Sequence, residues 1–240
     1  AKNSVVALIP AAILCDDDVI IDNVPDITDT KALLEILKLL NADYKYENNL
    51  LSIDTSHVKN QVIEEALAKK LRASYYFMGS LLSKYHHVEM YFPGGCKIGK
   101  RPIDYHIKGF EKLGATVTIE GDKYIIDAKE LTGTDITFDF PSVGATINIM
   151  LAAVKANGQT RIFNAAREPE IVNVADFLKS MGAKIKGAGT DTITITGVKK
   201  LNKGNIYTIP DRIEAGTYII AGALAGDNLV IDKIEPKHLE

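Results

Sequence analysis

Four stretches of this chain are apolar on nearly every side of a helical wheel: Ser4–Leu14, Ala73–Ser83, Val143–Val154 and Ile213–Leu224. A helix with no polar face has to be surrounded by protein. Their starts recur at roughly 70-residue intervals, which marks a structural repeat. A strand pattern follows each one, at Val19–Asp22, His87–Tyr91, Gln159–Phe163 and Asn228–Asp232. The repeated unit therefore reads as buried helix, strand, loop, amphipathic helix, strand, strand. Three copies run from Ala1 to about Pro210, and a fourth begins after them. Units that each bury a helix predict an α/β fold with helices packed inside and sheets outside.

The second helix of each copy supports this alignment. Leu33–Leu40, His106–Leu113 and Val174–Met181 carry apolar residues at i, i+3 and i+4, the pattern of a half-buried helix. Each runs into Asn41, Gly114 or Gly182, the residue types that accept the left-handed conformation after a helix end. Alternating strands follow, such as Thr116–Glu120, then a short turn and Lys123–Asp127.

Between the strand and the second helix lies a loop at the same place in every copy: residues 23–29, 93–106 and 164–170. Only the middle one is long, glycine-rich and basic. It reads Pro93-Gly94-Gly95-Cys96-Lys97-Ile98-Gly99-Lys100-Arg101-Pro102-Ile103-Asp104-Tyr105-His106. A thiol beside fixed positive charge ionises more easily than a free cysteine. Asp104 and His106 alternate as on an extended segment with both side chains on one side. The loop that departs from the repeat is where function is expected, here an anion-binding loop with a reactive cysteine.

Composition narrows the alternatives. The net charge of −3 gives no general attraction to nucleic acid or to a membrane surface, so any anion site must come from local cations. The two cysteines, Cys15 and Cys96, are far apart in sequence, which is no disulfide framework and suits a reducing cytoplasm. No apolar run reaches the length of a membrane span, no signal peptide is visible, and no P-loop or metal-ligand spacing is present. Cys15, at the end of an apolar helix, reads as a small core residue. The first residues, Ala1-Lys2-Asn3, and the last, Pro236–Glu240, read as cuts through a longer protein.

The run Pro93-Gly94-Gly95-Cys96-x-Ile98-Gly99-x-Arg101-Pro102-x-Asp104-x-His106 resembles the reactive loop of the UDP-N-acetylglucosamine 1-carboxyvinyltransferase family, within the EPSP synthase-like enolpyruvyl transferases. Lys2-Asn3, Arg72-Ala73-Ser74, Ser142–Thr146, Asn164–Glu170 and Pro210–Glu214 agree with it, so the likeness spans the whole chain. The resemblance implies an inside-out α/β barrel of three repeated units, about 1–71, 72–141 and 142–208, followed at 209–240 by the beginning of a second, similar domain. It implies transfer of the enolpyruvyl group of phosphoenolpyruvate to the 3-hydroxyl of UDP-N-acetylglucosamine with release of phosphate, the first committed step of peptidoglycan synthesis. No cofactor or metal is implied. The expected partners are the two small-molecule substrates and the missing second domain, which would complete the active site.

The same resemblance assigns roles. Cys96 is the expected general acid for the methylene carbon and can form a covalent adduct there. Lys2, Asn3 and Arg101 are expected at phosphoenolpyruvate. Arg72, Arg101, Pro102, Ile103, Asp104, Tyr105, Phe140, Pro141, Ser142 and Val143 are expected at the UDP-sugar, with Ser142-Val143-Gly144 opening a helix whose first amides suit an anion. Phe140 stands where some relatives carry lysine, so a contact from that position would run through backbone. Asp104 and His106 are equally well read as braces for the loop. Glu168 and Glu170 read as ends of a solvated loop or as hinge contacts, and Asp211-Arg212 as structural residues at the domain crossover. Two rival readings are a shikimate-type enolpyruvyl transferase and a non-catalytic repeat scaffold. The lone cysteine in a basic glycine loop argues against both.

Overall fold

The computed structural model describes residues 1–94 and 103–240. The first copy of the repeat forms α1 (Lys2–Ala12), β1 (Asp18–Asp22), α2 (Thr28–Leu39), β2 (Asp43–Glu47), β3 (Leu50–Asp54) and the short α3 (Glu65–Ala68). A 3₁₀ turn, Arg72–Tyr75, leads into α4 (Tyr76–Tyr85) and β4 (His87–Tyr91); α5 (Asp104–Lys112), β5 (Thr116–Glu120), β6 (Lys123–Asp127) and β7 (Asp135–Thr137) complete the second copy. The third comprises α6 (Val143–Ala153), β8 (Gln159–Phe163), α7 (Pro169–Ser180), β9 (Lys184–Lys186), β10 (Thr192–Thr196) and β11 (Gly204–Tyr207). Helix α8 (Arg212–Ala225) and a 3₁₀ turn at Pro236–Leu239 end the chain.

The all-round apolar helices behave as their composition demands. Residues Ser4 to Ala12 of α1 and Ala145 to Ala153 of α6 are buried without interruption, and α4 is buried from Tyr76 to Ser83. Strand faces alternate around them: Val19 and Ile21 of β1 point inward while Asp18, Ile20 and Asp22 face solvent. The helices thus lie inside and the sheets outside, as the repeat predicts. Asn41, Gly114 and Gly182 end the amphipathic helices with φ of 63°, 102° and 105°, the left-handed region.

One feature of the topology goes beyond the sequence-derived unit. Two four-stranded sheets run β11-β1-β3-β2 and β7-β8-β10-β9, and the third runs β4-β6-β5. The first strand of each copy pairs in parallel with a piece of the copy before it: β8 with β7, β4 with Ile63 through a single bridge, and β1 with β11 from the far end of the third copy. Asn23 and Asn164, each at φ 55° just after such a strand, fasten this joint by donating to the Thr208 and Phe138 carbonyls, both at 2.8 Å. The linking strands β7 and β11 are too short to show a clear alternation in the sequence.

Three expectations are corrected. Asp104 and His106 open helix α5 instead of lying on an extended segment, so Asp104 is exposed and His106 is buried. Helix α8 is mostly exposed: Tyr218, Ile220 and Leu224 are 55, 63 and 83% accessible, and Ala215 is its one buried residue. Apolar composition predicts burial only where other elements surround the helix, and none of the described elements does. For the same reason Asn228–Asp232 forms no strand, since no strand lies alongside to pair with it.

Candidate functional site

The starts of the inner helices converge on an open cleft of about 1010 Å³. Its lining includes Lys2 and Asn3 from the first turn of α1, Arg72 and Tyr75 from the turn before α4, Ser142, Val143 and Gly144 from the start of α6, and Arg212 from the start of α8. These come from all three copies, so the repeat itself builds the cleft. Ser142 caps α6, its Oγ accepting from the Ala145 amide at 3.3 Å.

Electrostatics favour an anion here. Cations are disfavoured at helix N-termini by the dipole, yet Lys2, Arg72 and Arg212 all sit in first turns. Lys69 and Lys70 also line it, but they pair with Glu65 and Glu35, and the acids Asp29, Glu168 and Glu170 belong to the same lining. Lys2 pairs with Asp29 at 3.2 Å and remains half exposed. Arg72 lies over the Tyr75 ring, 5.7 Å from its centroid. The cations are therefore held by neighbours and still face the opening.

Of the two readings for Glu170, solvated loop end or hinge contact, only the first fails, because the residue lies in the first turn of α7. It is buried and accepts from Arg212 Nε at 3.1 and 3.3 Å, tying α7 to the start of α8. A carboxylate is tolerated there because the guanidinium answers its charge. Asp211 is structural, as expected. Its carboxylate accepts from the Ile213 and Glu214 amides at 3.0 Å, capping α8, and from the Lys2 amide at 2.7 Å, capping α1 as well. Burial works against its charge, but the donors from Glu214, Lys2 and Ile213 hold its carboxyl below the usual range.

Behind the cleft a polar network crosses the apolar interior. The carboxamide of Asn148, buried on α6, accepts from the Gly79 amide at 2.9 Å and donates to the Tyr75 carbonyl at 2.9 Å and to His106 Nδ1 at 3.0 Å. His106 lines the cleft, and burial, aided by the Arg72 charge, lowers its pKa to about 3. Asn148 and Tyr75 were missed by sequence reasoning. The available signal was one amide in an otherwise apolar helix, which must find hydrogen bonds.

The remaining predicted residues are distributed around this centre. Cys96, Arg101 and Pro102 lie outside the described residues. Ile103 is buried at the start of α5. Tyr105 lines a second, smaller cleft of about 390 Å³ between α5 and β7, with Lys108, Lys112, Phe138 and Asp139. Helix α5 sends side chains to both clefts, His106 to the larger and Tyr105 to the smaller. Phe140 and Pro141 are exposed in the turn before Ser142 and line neither cleft. Gly94 anchors the entry to the basic loop: its amide donates to the Ala68 carbonyl at 3.0 Å, and a Cβ there would lie 1.9 Å from the Lys69 carbonyl oxygen. Cys15 is fully buried with Sγ 3.0 Å from the Asn202 carbonyl, and burial raises its pKa, as suits a core thiol. Among the described residues no group of three or more His, Cys, Asp or Glu side chains is placed to hold a metal ion, and no helix is long and apolar enough to cross a membrane.

Known proteins share both the fold and the sequence. The enolpyruvyl transferase NikO from Streptomyces tendae superposes with a TM-score of 0.81 at 24% identity, over 92% of this chain and 53% of that one. EPSP synthase from Acinetobacter baumannii superposes at 0.70 and 18% identity, over 91% of this chain and 51% of that one. In sequence, the chain is 52% identical over its whole length to UDP-N-acetylglucosamine 1-carboxyvinyltransferase 2 from Geobacillus kaustophilus and to its namesake from Bacillus subtilis, in each case over 56% of the relative. It is equally similar to UDP-N-acetylglucosamine 1-carboxyvinyltransferase 3 from Caldanaerobacter subterraneus, over 58% of that protein. The chain thus spans little more than half the length of these relatives. All residues, 1–240, match one family description, and on that match the chain belongs to the EPSP synthase (3-phosphoshikimate 1-carboxyvinyltransferase) family.

Proposed function

We propose that the protein transfers the enolpyruvyl group of phosphoenolpyruvate to the 3-hydroxyl of UDP-N-acetylglucosamine, and that residues 1–240 supply the half of the site that bears the reactive loop. The observation that carries this reading is the cleft itself: Lys2, Asn3, Arg72, Ser142 and Val143, scattered over the sequence, line one opening that gathers cations and a helix N-terminus. Both substrates are highly anionic, and preorganised cations and helix N-termini are suited to hold them. Identity of 52% to UDP-N-acetylglucosamine 1-carboxyvinyltransferases supports this acceptor over shikimate 3-phosphate, and a basic loop with a lone cysteine supports an enzyme over a scaffold.

In this reading Lys2, Asn3 and Arg101 hold phosphoenolpyruvate. Arg72, Ser142 and Val143 hold the UDP-sugar in the larger cleft, and the segments Arg101–Tyr105 and Phe140–Pro141 hold its nucleotide end. The sugar hydroxyl gives its proton to a base of the second domain as its oxygen attacks the carbon that bears the phosphate ester, while Cys96 gives a proton to the methylene carbon. The Cys96 thiolate then takes a proton back from the new methyl group, phosphate leaves and the double bond is restored. The boundary between the two domains falls near residue 208, with three repeats before it. The second domain covers the exposed face of α8 and completes the site. The chemistry takes place in the cytoplasm, as the first committed step of peptidoglycan synthesis.

The test is labelling of the full-length protein with fosfomycin, an epoxide that a reactive thiolate opens, followed by mass spectrometry. Addition at Cys96 and not at Cys15, accelerated by UDP-N-acetylglucosamine, is the expected result. Equal labelling of both thiols, or indifference to the nucleotide sugar, would refute the assignment.

A further inference from the structure

The Asn148 carboxamide occupies an unusual position. Helix α4 begins at Tyr76, so its first rung joins the amide of residue 79 to the carbonyl of residue 75. Both groups also engage Asn148, the amide through Oδ1 and the carbonyl through Nδ2, at 2.9 Å each. This happens where the 3₁₀ turn Arg72–Tyr75 gives way to α4. Gly79 makes it possible, because a Cβ at that position would lie 2.3 Å from Asn148 Oδ1. The second Nδ2 proton goes to His106 Nδ1 at 3.0 Å. The amide orientation is set by the Gly79 donor and the Tyr75 acceptor, so Nδ1 of His106 must be the unprotonated nitrogen.

The other ring nitrogen is turned to the start of α6. Nε2 lies 3.1 Å from where a Cβ on Gly144 would be, and Gly144 and His106 both line the large cleft. The imidazole is held from the side by Tyr75, whose ring meets it edge-on at 4.6 Å between centroids and 70° between planes.

We propose that Asn148 is a positioning residue: it spans the first rung of α4 and donates to His106 Nδ1, fixing the imidazole as a neutral Nε2–H donor beside the start of α6, where an anionic group of the substrate lies. The same amide sets the turn that carries Arg72, so one buried side chain aligns a neutral donor and a cation on one ligand. This rests on the substrate assignment made above, with the diphosphate of the UDP-sugar as the ligand group concerned.

Two measurements on the full-length protein test it independently. The first reads the ring nitrogens of His106 by ¹⁵N-edited NMR in the unliganded protein. The Nε2–H tautomer is expected, with its loss in a folded Asn148→Asp variant, whose carboxylate cannot donate to Nδ1. An Nδ1–H tautomer in the wild type would overturn the proposal whether or not the substrate assignment holds. The second titrates UDP-N-acetylglucosamine calorimetrically into the wild type, His106→Gln and His106→Leu. Leucine should weaken binding by about tenfold or more, the effect of one lost hydrogen bond to a charged group, while glutamine, with a neutral amide donor, should stay within about threefold of the wild type. Equal affinity of the leucine variant and the wild type would overturn the proposal, whereas failure of the wild type to bind at all would instead refute the substrate assignment.

Discussion

His106 gives the protein an acid sensitivity that can be isolated from every other titrating group. In the folded protein burial and the Arg72 charge lower its pKa from 6.5 to about 3. The unfolded chain takes up a proton on this ring as the pH falls below 6.5, and the folded protein does not. Stability from this source is therefore full above about pH 7, falls as the pH drops through 6.5, and goes on falling until about pH 3. At pH 5 the unfolded state gains RT ln(1 + 10^1.5), about 2 kcal/mol, while the folded state gains almost nothing. For a protein of this size that corresponds to roughly 4–8 °C in Tm. Depressed carboxyls such as Asp16 and Asp211 also lose stabilising charge on acidification, so the wild type alone cannot isolate the histidine. The assay is urea unfolding of wild type and His106→Gln at pH 8 and pH 5. Glutamine does not titrate, so the wild type should lose about 2 kcal/mol more than the variant over this interval. A gap between the two proteins that stays constant with pH would show that His106 takes up its proton as readily in the folded protein as in the unfolded chain, and would refute the reasoning.

Two further outcomes follow from the packing. Gly94→Ala would put a methyl group 1.9 Å from the Lys69 carbonyl oxygen, so backbone must move at the entry to the basic loop; a loss of about 1–3 kcal/mol is expected in chemical unfolding, together with slower labelling of Cys96 by fosfomycin. Lys84 is nearly buried and donates to the Ile13 and Cys15 carbonyls at 2.9 and 2.8 Å while pairing with Asp16 at 2.7 Å. Lys84→Met should cost roughly 2 kcal/mol by stranding the end of α1, and NMR titration should show the Asp16 carboxyl moving back up toward its ordinary range.

The repeat was legible because its driving force is written residue by residue. Unbroken apolar helices such as α6 can only be interior, and the glycines after α5 and α7 mark their ends. The failures also have physical causes. Helix α8 carries the same composition as α6, but composition states a need for neighbours and cannot supply them. Asp104 and His106 were misread because two alternating polar residues look alike at the end of a loop and in the first turn of a helix. For the site, the cationic positions Lys2 and Arg72 were recognisable through family likeness, and the structure adds that they share one cleft. The Glu170–Arg212 pair joins residues 42 apart in sequence, and the Asn148 network residues 42, 69 and 73 apart, which no local pattern encodes.

The pairing of β1 with β11 has a consequence for how the protein is made. Val19–Asp22 waits for Gly204–Tyr207, so one edge of the first sheet stays open until nearly the whole unit has left the ribosome. Loop closure over that distance is slow compared with local hairpins such as β5–β6. During that interval Val19 and Ile21 lie beside unpaired backbone, an invitation to pair with another nascent chain. The joint that closes the ring of repeats is thus also a point at which synthesis is exposed to aggregation, and the charged residues Asp18 and Asp22 at the ends of this strand act as its guard.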